Sequence, residues 1–333
     1  MADLQGYISE SLPLLGTTVT MKVHAGALGE EATSKVITAA CDEIARLQGL
    51  VSRHEPGSEV SRIGSLPAGG TLEVSAETAA ALAAALELAE RSGGSFDPTV
   101  GPLVLRYKEM MKSGGGPRLP EGDELAGWRA MVGWKRLALE GRTVTVREPV
   151  QVDLGGIAKG FAVDAAVRVL AGAGVKHALV DAGGDIRALG TKAGGLSWRV
   201  GVEHPRGDGR LLLGAIEIRS GAIATSGDKH QHFDLASKRY SHIVDPRTGL
   251  PLEAKGIGGS VSVRAPTCTE ADGLATALSV MGPDEGAGLV RGREGVSALF
   301  VVIRADGSAD VRRLGDFPEM ETGGAFSMAA PGR

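Results

Sequence analysis

Apolar and polar residues alternate from Thr17 to Val23, the period of a half-buried strand. The period changes at Glu30. From there to Leu50, the residues Val36, Ile37, Ala40, Ile44, Leu47 and Leu50 recur at helical spacing, which predicts a long amphipathic helix. Ser52 to Ser65 is polar, contains Pro56-Gly57, and reads as a loop. Ser75 to Arg91 is rich in Ala and Leu and predicts a second helix, with Ser75 as N-cap and Gly93-Gly94 as the stop. Ser113 to Pro120 is a Gly/Pro loop, and Leu137 to Val146 predicts a hairpin turning at Glu140-Gly141. Gly160 to Gly172 is helical. Ala178–Val180 and Ile186–Leu189 are short strands around Gly183-Gly184. Further strands follow at Trp198–Val202, Leu212–Ile218, Ala222–Thr225 and Gly259–Val263, then a helix at Thr269–Met281 and a buried strand at Ala298–Ile303. Strands and helices do not alternate regularly, so the expected class is α+β, with mixed or antiparallel sheets and packed helices rather than a doubly wound parallel sheet. No repeat or linker divides the chain, so 1–333 is expected to be one domain, with residues 1–12 and 319–333 as flexible ends.

Composition narrows the partners. The 333 residues are 43% hydrophobic and carry a formal net charge of -4, so no basic excess points to nucleic acid or an anionic surface. The 50 glycines are about twice the usual share and form short clusters, the pattern of tight turns and close backbone approaches. Cys41 and Cys268 have no partner at metal-ligand spacing and read as small core residues. No stretch approaches roughly twenty apolar residues, and Met1 to Leu15 lacks a basic, then apolar, leader. A cytoplasmic location is therefore expected for the chain as given, or a periplasmic one if a leader has been removed.

Several segments concentrate chemistry. Phe96-Asp97-Pro98-Thr99-Val100-Gly101 puts a carboxylate in extended or turn backbone, where it caps a turn or meets a ligand's polar edge. Asp153-Leu154-Gly155-Gly156-Ile157-Ala158-Lys159-Gly160 runs from strand through glycines into helix, a junction that exposes backbone groups to a phosphate, with Lys159 adding positive charge. Ala182-Gly183-Gly184-Asp185 reads as a turn, and Asp185 as part of it. Thr225-Ser226-Gly227-Asp228 precedes Ser241-His242-Ile243-Val244-Asp245-Pro246-Arg247-Thr248-Gly249, where His242 is a candidate proton carrier and Asp245 could orient it or a neighbouring group. His230 and His232 lack a third ligand and read as surface residues. Asp272 and Thr276 share one helix face at i and i+4, a pair of hard oxygen donors or simply a first-turn Asp and a buried Thr.

Taken in order, with Leu14-Leu15-Gly16-Thr17-Thr18-Val19 and Ser58-Glu59-Val60-Ser61-Arg62, these segments resemble the FAD:protein FMN transferases, the ApbE-type flavin transferases, over about residues 15–315. The resemblance implies a single flavin transferase domain of that fold. It implies FAD as substrate, Mg²⁺ or another divalent metal, and a partner flavoprotein whose Thr or Ser accepts FMN while AMP leaves. By position it implies FAD contacts at Leu15, His54, Ser95, Phe96, Asp97, Asp153, Lys159 and Val244, metal ligands at Gly156 (through its carbonyl), Asp272 and Thr276, and a catalytic His242. Ala275 stands where some members carry a further acidic ligand. Two other activities use the same parts: FAD pyrophosphatase, with water as acceptor, and FAD storage.

Overall fold

The computed structural model describes residues 6–112, 118–205, 211–227, 232–235, 238–254, 256 and 258–321. In chain order its strands are β1 (Tyr7–Leu14), β2 (Thr17–His24), β3 (Thr71–Glu73), β4 (Leu137–Glu140), β5 (Thr143–Val146), β6 (Ala178–Ala182), β7 (Asp185–Leu189), β8 (Trp198–Glu203), β9 (Leu212–Ile218), β10 (Gly221–Gly227), β11 (His232–Leu235), β12 (Lys238–Asp245), β13 (Leu250–Glu253), β14 (Gly258–Ala265), β15 (Ser297–Ile303) and β16 (Ala309–Leu314). Its helices are α1 (Glu30–Val51), α2 (Glu59–Gly64), α3 (Ala76–Arg91), α4 (Gly101–Lys112), α5 (Gly122–Arg129), α6 (Ala158–Gly172) and α7 (Cys268–Val290).

Eight strands form one sheet in the order β1-β2-β6-β7-β10-β14-β15-β16. Each neighbouring pair is antiparallel, so the class is α+β. Alternate residues of each strand face opposite sides. Val19, Met21, Val180, Ala224 and Phe300 join the larger core, which α1, α3, α6 and α7 cover. Ile186, Ile223, Leu299 and Val301 face the other way, into a smaller core closed by the β8–β9 hairpin, Phe317 and Met320. A third cluster joins α4, α5 and β12 through Leu103, Tyr107, Trp128 and Val244. Tyr107 donates a buried hydrogen bond of 2.8 Å to the Gly249 carbonyl, tying α4 to the turn after β12. No helix among the described residues is long and apolar enough to cross a membrane. Cys41 and Cys268 are both buried and unlinked.

Both chain ends differ from the sequence expectation where they are described. Residues 7–12 belong to β1, paired along its whole length with β2 through a two-residue turn, Leu15-Gly16. Both turn residues have positive φ, 56° and 70°, the hairpin turn that matches strand twist. At the other end Met320 is buried, and Glu321 bridges to Ala215. The loop expected over 52–65 contains α2, capped by Ser58, whose hydroxyl accepts from the Ser61 amide. The last helix does not stop at Met281: it kinks at Gly282 (φ 72°) ahead of Pro283 and continues to Val290. The expected loop at 113–120 falls mostly outside the described residues, as do Asp228, His230 and the side chain of His232.

Candidate functional site

The Asp97 segment and the Asp153 loop lie against each other. The Asp153 amide donates to the Pro98 carbonyl at 2.7 Å. A side-chain carbon at Gly101 would lie 3.3 Å from the Asp153 Cβ. Asp97 is buried, and its carboxylate accepts from the Thr99 amide (2.7 Å), the Thr99 hydroxyl (2.6 Å) and the Trp134 amide (2.9 Å). Burial nevertheless pushes its pKa up. Asp153 accepts from the Gly155 amide at 2.9 Å and pairs with Arg53 Nε at 2.9 Å; His54, next to Arg53 in the chain, is exposed.

Beyond Gly155 the chain enters α6, and α6 lies against α7. Their contact is backbone-close because residue 160 is glycine: a Cβ there would overlap the Cys268 carbonyl and sit 2.9 Å from the Asp272 Cβ. The approach lets the Gly160 amide donate to Asp272 Oδ2 at 3.0 Å. One turn along α7, Thr276 Oγ1 comes within 3.4 Å of the Gly156 carbonyl oxygen. Gly156 is pinned too, since a Cβ there would be 3.1 Å from both Phe96 and Thr276. Carboxylate, hydroxyl and carbonyl thus converge at the α6–α7 junction. All three are hard oxygens, with one anionic charge among them, the donor type that suits Mg²⁺ completed by substrate phosphate and water.

Lys159 reaches into this junction. Its Nζ is 2.7 Å from Asp185 Oδ2 and 3.3 Å from Asp272 Oδ1. Burial alone would lower the ammonium's pKa, but the charges of Asp272 and Asp185 overcome it and raise it. Asp185 is itself pushed up, first by burial and then by the charge of Asp272. The two directions oppose each other for a single ion pair. A contact of 2.7 Å keeps the two together as an ion pair, and burial of Asp185 beside the charge of Asp272 accounts for its rise. Asp185 is therefore more than the turn residue the sequence suggested.

A cavity of about 480 Å³ opens beside Asp97, lined also by Gly94, Arg129, Trp134, Pro246 and Arg247. That volume is in the range of small-molecule sites. Ser95 Oγ, adjoining it in sequence, is buried and meets no hydrogen-bond partner among the described residues. Val244 is buried in the cluster beneath α4. His242 is half-buried on β12, within the irregular register between Tyr240 and Val244 that breaks the pairing with β13. Such a bulge re-aims a side chain. β12 packs against α7, the helix that carries Asp272 and Thr276. Asp245 holds the neighbouring Arg247. Its oxygens accept from the Arg247 amide (2.9 Å) and guanidinium (3.0 Å), fixing Arg247 at the cavity wall.

Leu15 adopts φ 56°, a left-handed conformation rare for a branched residue, and its amide donates to Gln48 Oε1 at 2.8 Å. Strained backbone of this kind concentrates at ligand sites. Its hairpin approaches the β6–β7 turn, where a Cβ at Gly183 would overlap Thr17.

The structure thus gathers Phe96, Asp97, Asp153, Gly156, Lys159, Asp272 and Thr276 around one junction, with Arg53 paired to Asp153. Four contributors carried no assigned role in the sequence: Arg53, Asp185, Trp134 and Arg247. Asp185 had a signal, a carboxylate directly after a double-glycine turn. Trp134 stands outside every motif and had none.

The ApbE family model matches residues 15–300. An FAD:protein FMN transferase of Vibrio cholerae is 34% identical over 303 residues, 89% of this chain and 87% of the relative. One from Haemophilus influenzae is 33% identical over 90% of this chain and 87% of its own. The crystal structure of the flavinyl transferase ApbE of Pseudomonas stutzeri superposes with a TM-score of 0.80 at 30% identity, covering 92% of this chain and 94% of that one. With the family model spanning most of its length and relatives above 30% identity along nearly all of it, this chain belongs to the ApbE family.

Proposed function

We propose that this chain is an FAD:protein FMN transferase, a single-domain enzyme that moves FMN from FAD to a Thr or Ser hydroxyl of a flavoprotein. The observation that carries the reading is the α6–α7 junction, where three oxygen donors meet the half-buried Lys159 ammonium, with a cavity of ligand size opening at Asp97. Gly156, Asp272 and Thr276 would hold a divalent metal such as Mg²⁺. When bound, it would neutralise pyrophosphate charge.

The chain's own residues have the remaining tasks. Lys159 offers a fixed positive charge to phosphate oxygens. Leu15, His54, Ser95, Phe96, Asp97, Asp153 and Val244 would grip the rest of FAD, with Arg129 and Arg247 beside them on the cavity wall. His242 would take the proton of the acceptor hydroxyl as its oxygen attacks the FMN-side phosphorus. One P–O bond forms, the P–O bond to AMP breaks, and AMP leaves with the electron pair.

Intact-mass analysis tests the reading. A flavoprotein subunit with a candidate acceptor Thr, incubated with this chain, FAD and Mg²⁺, should gain the mass of one FMN. His242→Ala should abolish the gain while FAD still binds. Free FMN and AMP without a gain, across several acceptors, would make the activity hydrolysis. Bound FAD with neither product would make it storage.

A further inference from the structure

We propose that Asp185 is a positioning residue for the cation site: it holds the Lys159 ammonium to itself and so leaves the charge of Asp272 for a divalent cation. The inference rests on reading Gly156, Asp272 and Thr276 as cation donors.

Lys159 has two carboxylates within reach and one charge to share. Its Nζ lies 2.7 Å from Asp185 Oδ2, against 3.3 and 3.5 Å from the two oxygens of Asp272. Asp185 is buried, and its Oδ2 meets no aligned hydrogen-bond donor among the described residues, so Lys159 is its close polar neighbour. A buried carboxylate is costly unless its charge is used. Here the use is arithmetic: two carboxylates and one ammonium leave a net negative charge at the junction, while Asp272 and Lys159 alone would leave none. That surplus matters because the donor set has a single anionic member, with Ala275 one turn-face away where a second carboxylate could have stood. Cation affinity at oxygen sites follows ligand charge.

Asp185 is also well placed to hold still. It opens β7 and pairs with Ala182 across the Gly183-Gly184 turn, so its backbone is fixed by the central sheet. Lys159 sits in the first turn of α6. In Asp185→Asn, the ammonium would lose its nearer partner and close on Asp272, competing with the cation for the same oxygens.

The test is Mn²⁺ titration of the full chain in mildly alkaline buffer, read by loss of the free-ion EPR signal, which reports binding and not turnover. Asp185→Asn should weaken Mn²⁺ binding by about tenfold or more, the usual effect of a partner behind a metal ligand. Lys159→Met added to Asp185→Asn should restore it, because no ammonium then competes for Asp272. Thermal unfolding screens the variants for folding, and Asp185→Ser replaces Asp185→Asn if the latter does not fold. Unchanged binding in the folded single variant overturns the inference. So does a loss that Lys159→Met fails to restore, since Asp185 would then act only on the fold. Absence of Mn²⁺ binding to the wild-type chain would instead overturn the cation-site reading itself.

Discussion

At the scale of single residues, the site depends on how closely α6 approaches α7, and Gly160 sets that distance. The Cβ of an alanine would press on the Cys268 carbonyl backbone, which cannot swing away as a flexible side chain could. Gly160→Ala should therefore push the helices apart and cost about 1–3 kcal/mol, the range for overpacking a tight contact. The same shift would lengthen the bond from the residue 160 amide to Asp272. Guanidinium unfolding should show a lower midpoint with an unchanged slope. An unchanged midpoint would mean the helices have slack at this point. The sequence made Gly160 visible as the end of a glycine-bearing loop, but not as a contact with a helix more than a hundred residues away. Asp185 was hidden for a similar reason. A carboxylate beside two glycines satisfies every local rule for a turn. Its pairing with Lys159 arises only when the sheet and α6 pack together.

At the scale of elements, the N-terminus of α7 is held by a residue of α6. Asp164 is buried, and its carboxylate accepts from the Cys268 amide (2.9 Å), the Thr269 amide (2.9 Å) and the Thr269 hydroxyl (2.6 Å), while Arg187 pairs with it. Thr267 adds a local cap, accepting from the Glu270 amide at 3.3 Å. Asp272 sits just inside this end of the helix, so its capping also aims the site. Asp164→Ala leaves buried amides and the Arg187 charge uncompensated and should cost about 3–5 kcal/mol. Thr267→Ala removes one ordinary cap and should cost about 1 kcal/mol. Denaturant unfolding of both variants checks the order, and a larger loss for Thr267→Ala would refute it. The sequence foretold α1 by its periodicity, α3 by its Ser75 cap and α6 by its apolar run between glycines. It missed α2 and α5, which are short, and α4, which follows the Asp97-Pro98 turn and is tied down by the long-range bond from Tyr107 to Gly249.

A second tie between elements is sensitive to pH. Glu59, in the first turn of α2, accepts from the Ser75 amide (2.9 Å) and the Ser75 hydroxyl (2.7 Å) at the start of α3. Burial favours its neutral form, but the hydrogen bonds from Thr78 and Ser75 outweigh it and lower the pKa. A carboxylate with a depressed folded-state pKa stabilises the fold above its unfolded pKa, about 4.3. That contribution is lost as pH falls through the folded value. Glu59→Gln should thus be less stable than wild type at neutral pH, and the gap should close in acid as pH falls through the depressed folded-state pKa. Unfolding midpoints measured across that span test it; a gap that persists in acid would assign the effect to packing rather than charge.

At the scale of the whole molecule, one sheet serves both large cores, and this decides how the chain should unfold. Val263 and Phe300 feed the core beneath the helices, while Leu299 and Val301, their neighbours along and across the same strands, feed the core beneath β8–β9. A strand cannot leave one core and stay in the other. The single-domain organisation expected from the sequence then requires that damage to the far core be felt at the site. Phe317 and Met320 supply the means to test it, because both are buried in the smaller core and lie outside every functional segment. Phe317→Ala should cost about 3–5 kcal/mol, as for other buried aromatics. The loss should appear as one cooperative transition shifted to lower denaturant, with tryptophan fluorescence and far-UV circular dichroism moving together. Trp198 reports on the smaller core, and Trp128 and Trp134 report from the cavity side. If the signals separate, with Trp198 exposed while secondary structure persists, the β8–β9 layer is a unit that opens by itself. If they coincide, the cavity and the distant hairpin share one stability, and adding FAD should raise both midpoints by mass action.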